Sequence, residues 1–175
     1  ISDLGMMHYF LGIEAVQSNA EIFLCQKKYV LDVLDRFQMK HCNVVNTPVE
    51  VSLQLSKDSG GKEVDNIFYK RIVGSLMYLT TTQSDIIHVV SLISRYIERP
   101  RQTHLLTAKR ILRYLQGTKN FGLFYKKGER TDLCGFSDSD YARDVDDRKS
   151  ITRLFAGNFD QDNKGIIHLN FHKMA

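Results

Sequence analysis

Residues 68–118 read FYKRIVGSLMYLTTTQSDIIHVVSLISRYIERPRQTHLLTAKRILRYLQGT, a stretch in which three amphipathic helices follow one another with their own start and stop signals. In the first, Phe68, Ile72, Leu76 and Leu79 recur at helical spacing and predict one apolar stripe. In the second, Ser84 or Asp85 is placed to cap the first amides, Ile86, Val89, Val90, Ile93 and Ile97 form the stripe, and Pro100 prevents continuation. The third starts near Thr103 and buries Leu105, Ala108, Ile111, Leu112 and Leu115. It is expected to stop at Gly117, which tolerates a left-handed terminal position. A helical hairpin or three-helix unit is the predicted scaffold.

The polar side of that unit is basic. Lys109 and Arg113 lie four residues apart on one face with Arg110 beside them, and Arg95, Arg99 and Arg101 cluster at the preceding turn. The third helix holds no acidic residue at helical spacing to neutralise them. Such a stripe is either a solvated helix face or a track for a polyanion, whose condensed counterions are released as phosphates are neutralised.

Charge is segregated along the chain. Residues 1–65 carry 6 basic and 9 acidic side chains, residues 66–130 carry 12 and 3, and residues 131–175 carry 6 and 8, so a net of +4 conceals a +9 middle. That pattern favours a nucleic-acid surface over diffuse basicity. An apolar content of 43% argues against wholesale disorder. Cys25, Cys42 and Cys134 are odd in number and lack CxxC spacing, which points to a reducing, intracellular setting and away from a structural zinc site. Cys25, in an apolar run, reads as a buried thiol. No run approaches membrane-spanning length and no signal peptide is visible, so no membrane partner is expected. The start at Ile1, inside apparently structured sequence, suggests a piece of a longer protein.

Upstream of the helices, Met7 to Val16 alternates as a strand, Ser18 to Ala20 turns, and Ile22 to Cys25 returns, predicting a β-hairpin. Gly12 in the first strand marks a bulge or a close backbone approach. Lys27 to Met39 switches to helical period. From His41 to Asp65 periodicity fails, and SKDSGGK at 56–62 reads as a flexible connector; its GGK lacks the spacing of a phosphate-binding loop. Beyond the helices, Gly122–Lys127 and Leu133–Phe136 read as strands. The second runs into SDSDYARDVDDRKS, where Asp138, Asp140, Asp144, Asp146 and Asp147 are either a solvated acidic loop or oxygen ligands for a hard cation such as Mg²⁺.

The blocks DLGMMHYFLGIEAVQS, IFLCQKKYVLDVLDRFQM, NTPVE, YKRIVGSLMYLT, SDIIHVVSLISRYIERP, HLLTAKRILRYLQGTKNFGLFY and GFSDSDYARDVDDRKS stand in an order and spacing covering about residues 3–150. This set resembles the Pol polyprotein of copia-type LTR retrotransposons, from the end of the reverse transcriptase into the start of RNase H. The resemblance implies an α+β chain: a palm-edge hairpin and helix in residues 1–47, a connector at 48–65, a helical thumb and connection region at 66–127, and an incomplete RNase H-like segment at 128–150. It implies that Gly12 admits a nucleic-acid backbone, that Lys109, Arg110 and Arg113 track a template-primer duplex, and that Asp138 matches the first Mg²⁺-binding carboxylate of RNase H.

Departures from the family set limits on activity. The adjacent polymerase aspartates belong upstream of this chain, Tyr141 and Arg143 stand where Trp and Gly are usual, and the TRPDI block is TQSDI here. After Ser150 the later nuclease carboxylates are missing, so residues 151–175 read as a divergent or frameshifted tail in which Ile166–Phe171 forms a strand at most. The expected function is a duplex-binding fragment, on RNA–DNA hybrid or DNA, that acts with the remaining Pol segments in the cytoplasm or nucleus and has no catalysis by itself. The alternatives are a Mg²⁺-dependent ribonuclease H and a translated relic without function.

Overall fold

The computed structural model describes residues 8–19, 21–50, 53–57, 61–126, 132–140 and 151–159. Strands β1 (Tyr9–Phe10), β2 (Ile13–Gln17) and β3 (Glu21–Cys25) are followed by helices α1 (Lys27–Arg36) and α2 (Asn66–Leu79). A 3₁₀ turn (Ser84–Ile86) then leads into α3 (Ile87–Ser94), and α4 (Gln102–Thr118), β4 (Gly122–Lys126), β5 (Asp132–Asp140) and β6 (Ile151–Phe159) complete the order.

The first expected strand is folded in two. Leu11 (φ 46°) and Gly12 (φ 79°) are both left-handed, and Phe10 pairs with Ile13 across them. Two successive positive φ values match the tight hairpin turn whose twist suits antiparallel strands. Gly12 is therefore a turn residue, not a bulge in a continuous strand. The Tyr78 hydroxyl of α2 donates to the Leu11 carbonyl and helps hold the strained Leu11.

β2 pairs antiparallel with β3, and β3 with β4, giving a sheet of order β1-β2-β3-β4. At the β3–β4 contact, a Cβ on Gly122 would stand 2.2 Å from the Leu24 carbonyl oxygen and 2.9 Å from the Cys25 Cβ. Only glycine fits there. The segment after α4 thus completes the sheet begun by the N-terminal hairpin, which joins what the sequence reading divided at residues 47 and 66.

α1 begins where Glu14 of β2 accepts from the Lys28 amide at 2.7 Å, placing a carboxylate on the helix's positive end. It was expected to reach Met39 but stops at Arg36. Gln38 is left-handed (φ 58°), with its amide on Asp35 O at 3.0 Å and the Met39 amide on Leu34 O at 2.7 Å. That pair of bonds is a Schellman stop built without glycine.

Asp65 caps α2, accepting from the Ile67 amide at 2.9 Å. Of the predicted stripe, Ile72, Leu76 and Leu79 are fully buried, whereas Phe68 is 36% exposed and makes an edge-to-face contact with Phe37. Tyr69 fills the core in its place, and its hydroxyl donates to Ile93 O at 2.9 Å. The second helix ends at Ser94, short of Pro100, and neither Ser84 nor Asp85 caps it through a side chain. α4 runs through Gly117 to Thr118. A Cβ on Gly117 would lie 2.5 Å from Val44 Cγ1, so this glycine serves close approach, not a left-handed stop. Val30, Val33 and Leu34 of α1 join the buried faces of α2, α3 and α4 in one core.

Within the expected connector, Leu55 is buried and Val45, Val49 and Leu53 pack on the same core. Residues 40–50 and 53–57 form a strap along α4 in place of a loose linker. β5 is longer than the expected Leu133–Phe136 and pairs antiparallel with β6, which falls in the stretch read as an unpacked tail. Ile166–Phe171 and the acidic run 144–147 lie outside the described residues.

Candidate nucleic-acid interface

The α4 cations are not an open stripe. Arg110 donates through Nη1 to Glu50 Oε1 at 2.9 Å and through Nη2 to Thr47 Oγ1 at 3.1 Å. Arg113 Nε donates to Asn43 O at 2.8 Å, and Gln116 Nε2 to Lys40 O at 2.8 Å. Both arginines, expected to face phosphate, hold the strap: Arg110 is neutralised by it, and Arg113 engages it through Nε. Lys109 is half-buried and has no ion pair among the described residues, and Arg113 commits only Nε. Arg101 pairs with Glu63 at 3.3 Å, while Arg95 is exposed just past α3.

The strap is anchored at its other end by a histidine that periodicity alone places on no functional list. His104 is 0% exposed and stacks on Tyr96 with ring centroids 3.9 Å apart. Its Nδ1 accepts from the Arg101 amide at 2.9 Å, which caps α4 and fixes the tautomer. Nε2 therefore carries the proton and donates to Ser56 O at 3.1 Å. The Tyr96 hydroxyl donates to Leu55 O at 2.9 Å, so two rings bind consecutive strap carbonyls.

Asp85 turns inward and accepts from the Tyr114 hydroxyl of α4. Burial pushes the Asp85 carboxyl above the usual carboxylate range, partly opposed by that hydrogen bond. The Tyr114 phenol is raised in turn, by burial first and then by the bond to Asp85. Burial also raises the Cys25 and Cys42 thiols, which disfavours the thiolate at both.

Gly12 was expected to admit a nucleic-acid backbone. Its open side faces the Tyr78 ring, 3.3 Å from where a Cβ would stand. Asp138 of β5 is in register with Arg153 of β6, and Asp140, two residues on, with Ile151. The β6 sequence ITRLFAGNF brings no carboxylate to the pair. Among the described residues no group of three or more metal-ligating side chains gathers.

The chain is 45% identical to the retrovirus-related Pol polyprotein from transposon RE1 of Arabidopsis thaliana over all 175 residues, and 43% identical to that from transposon RE2 of the same plant over 169. It is 38% identical over 161 residues, 87% of its length, to the Pol polyprotein from transposon TNT 1-94 of Nicotiana tabacum. Its homologues are retrovirus-related Pol polyproteins of transposons.

This Pol-related chain spans 11–12% of the length of those three polyproteins. The RE1 alignment includes residues 151–175, where the motif blocks had run out. No family model matches the chain, and no solved structure matches it. Among the described residues, no helix is long and apolar enough to cross a membrane.

Proposed function

We propose that this segment of a transposon Pol polyprotein is of copia type, from the end of the reverse transcriptase into the start of RNase H, and grips an RNA–DNA or DNA duplex without catalysis of its own. The observation that carries the reading is the +9 charge of residues 66–130 within a chain homologous to Pol polyproteins. Most of that segment is a buried-core helical unit, so its cations are carried on rigid elements, as phosphate positioning requires. Lys109 and the terminal amino groups of Arg113 are the α4 positions left to reach phosphate. In this reading the remaining Pol segments supply the chemistry.

Fluorescence anisotropy with a labelled RNA–DNA hybrid tests this. Lys109 and Arg113, neutralising one phosphate each, contribute about −1.8 to the log–log salt slope on a B-form duplex, a factor of roughly 12 between 50 mM and 200 mM salt. Lys109→Ala with Arg113→Ala should flatten the slope. Absence of salt-dependent binding by the unaltered chain would reject the reading.

A further inference from the structure

A helix-interior glycine is costly unless something demands the missing side chain. In four cases the chain itself makes the demand or supplies the neighbour: Tyr78 over Gly12, Gln102 Cβ 3.6 Å from a Cβ on Gly61, Val44 against Gly117, and the Leu24 carbonyl against Gly122. Gly74 is different. It sits in the middle of α2 with helical dihedrals, is exposed, and a Cβ built on it meets nothing within 4 Å among the described residues. Neither its backbone conformation nor packing among the described residues accounts for it.

Its surroundings have a definite chemistry. At 100° per residue, Ile67, Lys70, Arg71, Gly74 and Met77 occupy one arc of α2, opposite the buried Tyr69, Ile72, Val73 and Leu76. Lys70 and Arg71 are exposed and make no ion pair among the described residues, and α2 contains no acidic residue. Ile67 is 60% exposed and Met77 53%. The arc is thus a shallow notch of bare backbone, flanked by two cations that make no ion pair among the described residues, with an apolar residue at each end. Among the described residues no strap lies over these cations, whereas Arg110 of α4 is already neutralised by Glu50.

We propose that the outer face of α2 is a close-approach surface for a nucleic-acid duplex: the helix backbone at Gly74 lies against the sugar-phosphate chain, Lys70 and Arg71 pair with phosphates, and Ile67 and Met77 cover sugar surface. Two adjacent unpaired cations on a face free of acid select a polyanion over an ordinary protein partner. From Ile67 to Met77 the helix advances about 15 Å, which matches roughly four base-pair steps at 3.4 Å each. The inference rests on the duplex-binding reading above and moves its centre from α4 to α2.

Gly74→Ala is the diagnostic variant, because helix propensity and binding move in opposite directions. Alanine should raise the melting temperature by about 2–4 °C while weakening hybrid binding at least fivefold. A gain in stability excludes misfolding as the cause of lost affinity. Lys70→Ala with Arg71→Ala should reduce the magnitude of the salt slope by about 2. If the unaltered chain binds hybrid and both variants bind equally well, the α2 surface is refuted while the duplex-binding reading stands. If the unaltered chain does not bind, both fall. Retained hybrid binding in both variants, with self-association lost in Gly74→Ala by sedimentation, would assign the notch to a protein contact and overturn the proposal.

Discussion

α4 and α2 are both amphipathic helices with basic outer sides, yet one is clothed and the other bare. Along α4 the strap supplies Glu50, Thr47 and two backbone carbonyls to the outward side chains, and Val44 sits against Gly117. Along α2, Lys70, Arg71 and Gly74 meet nothing equivalent among the described residues. Cationic residues on a helix therefore fall into two physical kinds: those that secure another part of the same chain, and those still available to a second molecule.

The comparison breaks most severely if the strap is released. His104→Ala removes a fully buried ring, the cap on Arg101 and the bond to Ser56 O, and should cost about 3 kcal/mol in urea denaturation. A loss under about 1 kcal/mol would mean that the strap is held elsewhere. The two helix glycines give the next effect, of opposite sign. Gly117→Ala drives a Cβ to 2.5 Å from Val44 Cγ1 and should destabilise by about 1 kcal/mol, against the gain expected at Gly74. Equal shifts at the two sites would erase the distinction. The smallest effect belongs to Glu50→Gln, since the ion pair to Arg110 is partly exposed and contributes at most about 0.5 kcal/mol to stability. Freeing Arg110 should nonetheless raise hybrid affinity about two- to threefold at low salt, read by anisotropy.

Much of the helical scaffold was legible because its signal is local. Ile72, Leu76, Leu79, Val89, Ile93, Ile111 and Leu115 repeat at the helical period, and each is buried. The strap was not, because its apolar residues Val45, Val49, Leu53 and Leu55 follow no single period and its anchors are main-chain carbonyls that any residue type supplies. The neutralisation of Arg110 was equally hidden: a search for partners at helical spacing cannot see Glu50, 60 residues away. Glycine misled for a related reason. A sequence shows that a side chain is absent but not whether conformation or crowding requires it, so Gly117 read as a terminus and Gly12 as a bulge. The α1 stop at Gln38 carried no glycine to signal it.

The pairing of β3 with β4 has a consequence for synthesis. Until Gly122–Lys126 leaves the ribosome, β3 presents an open row of amides and carbonyls, and the intervening helices must collapse before the closing strand can reach it. A nascent chain cut short before Gly122 would leave β3 as the sheet's border, so the N-terminal hairpin waits for its last partner, a strand made after all four helices.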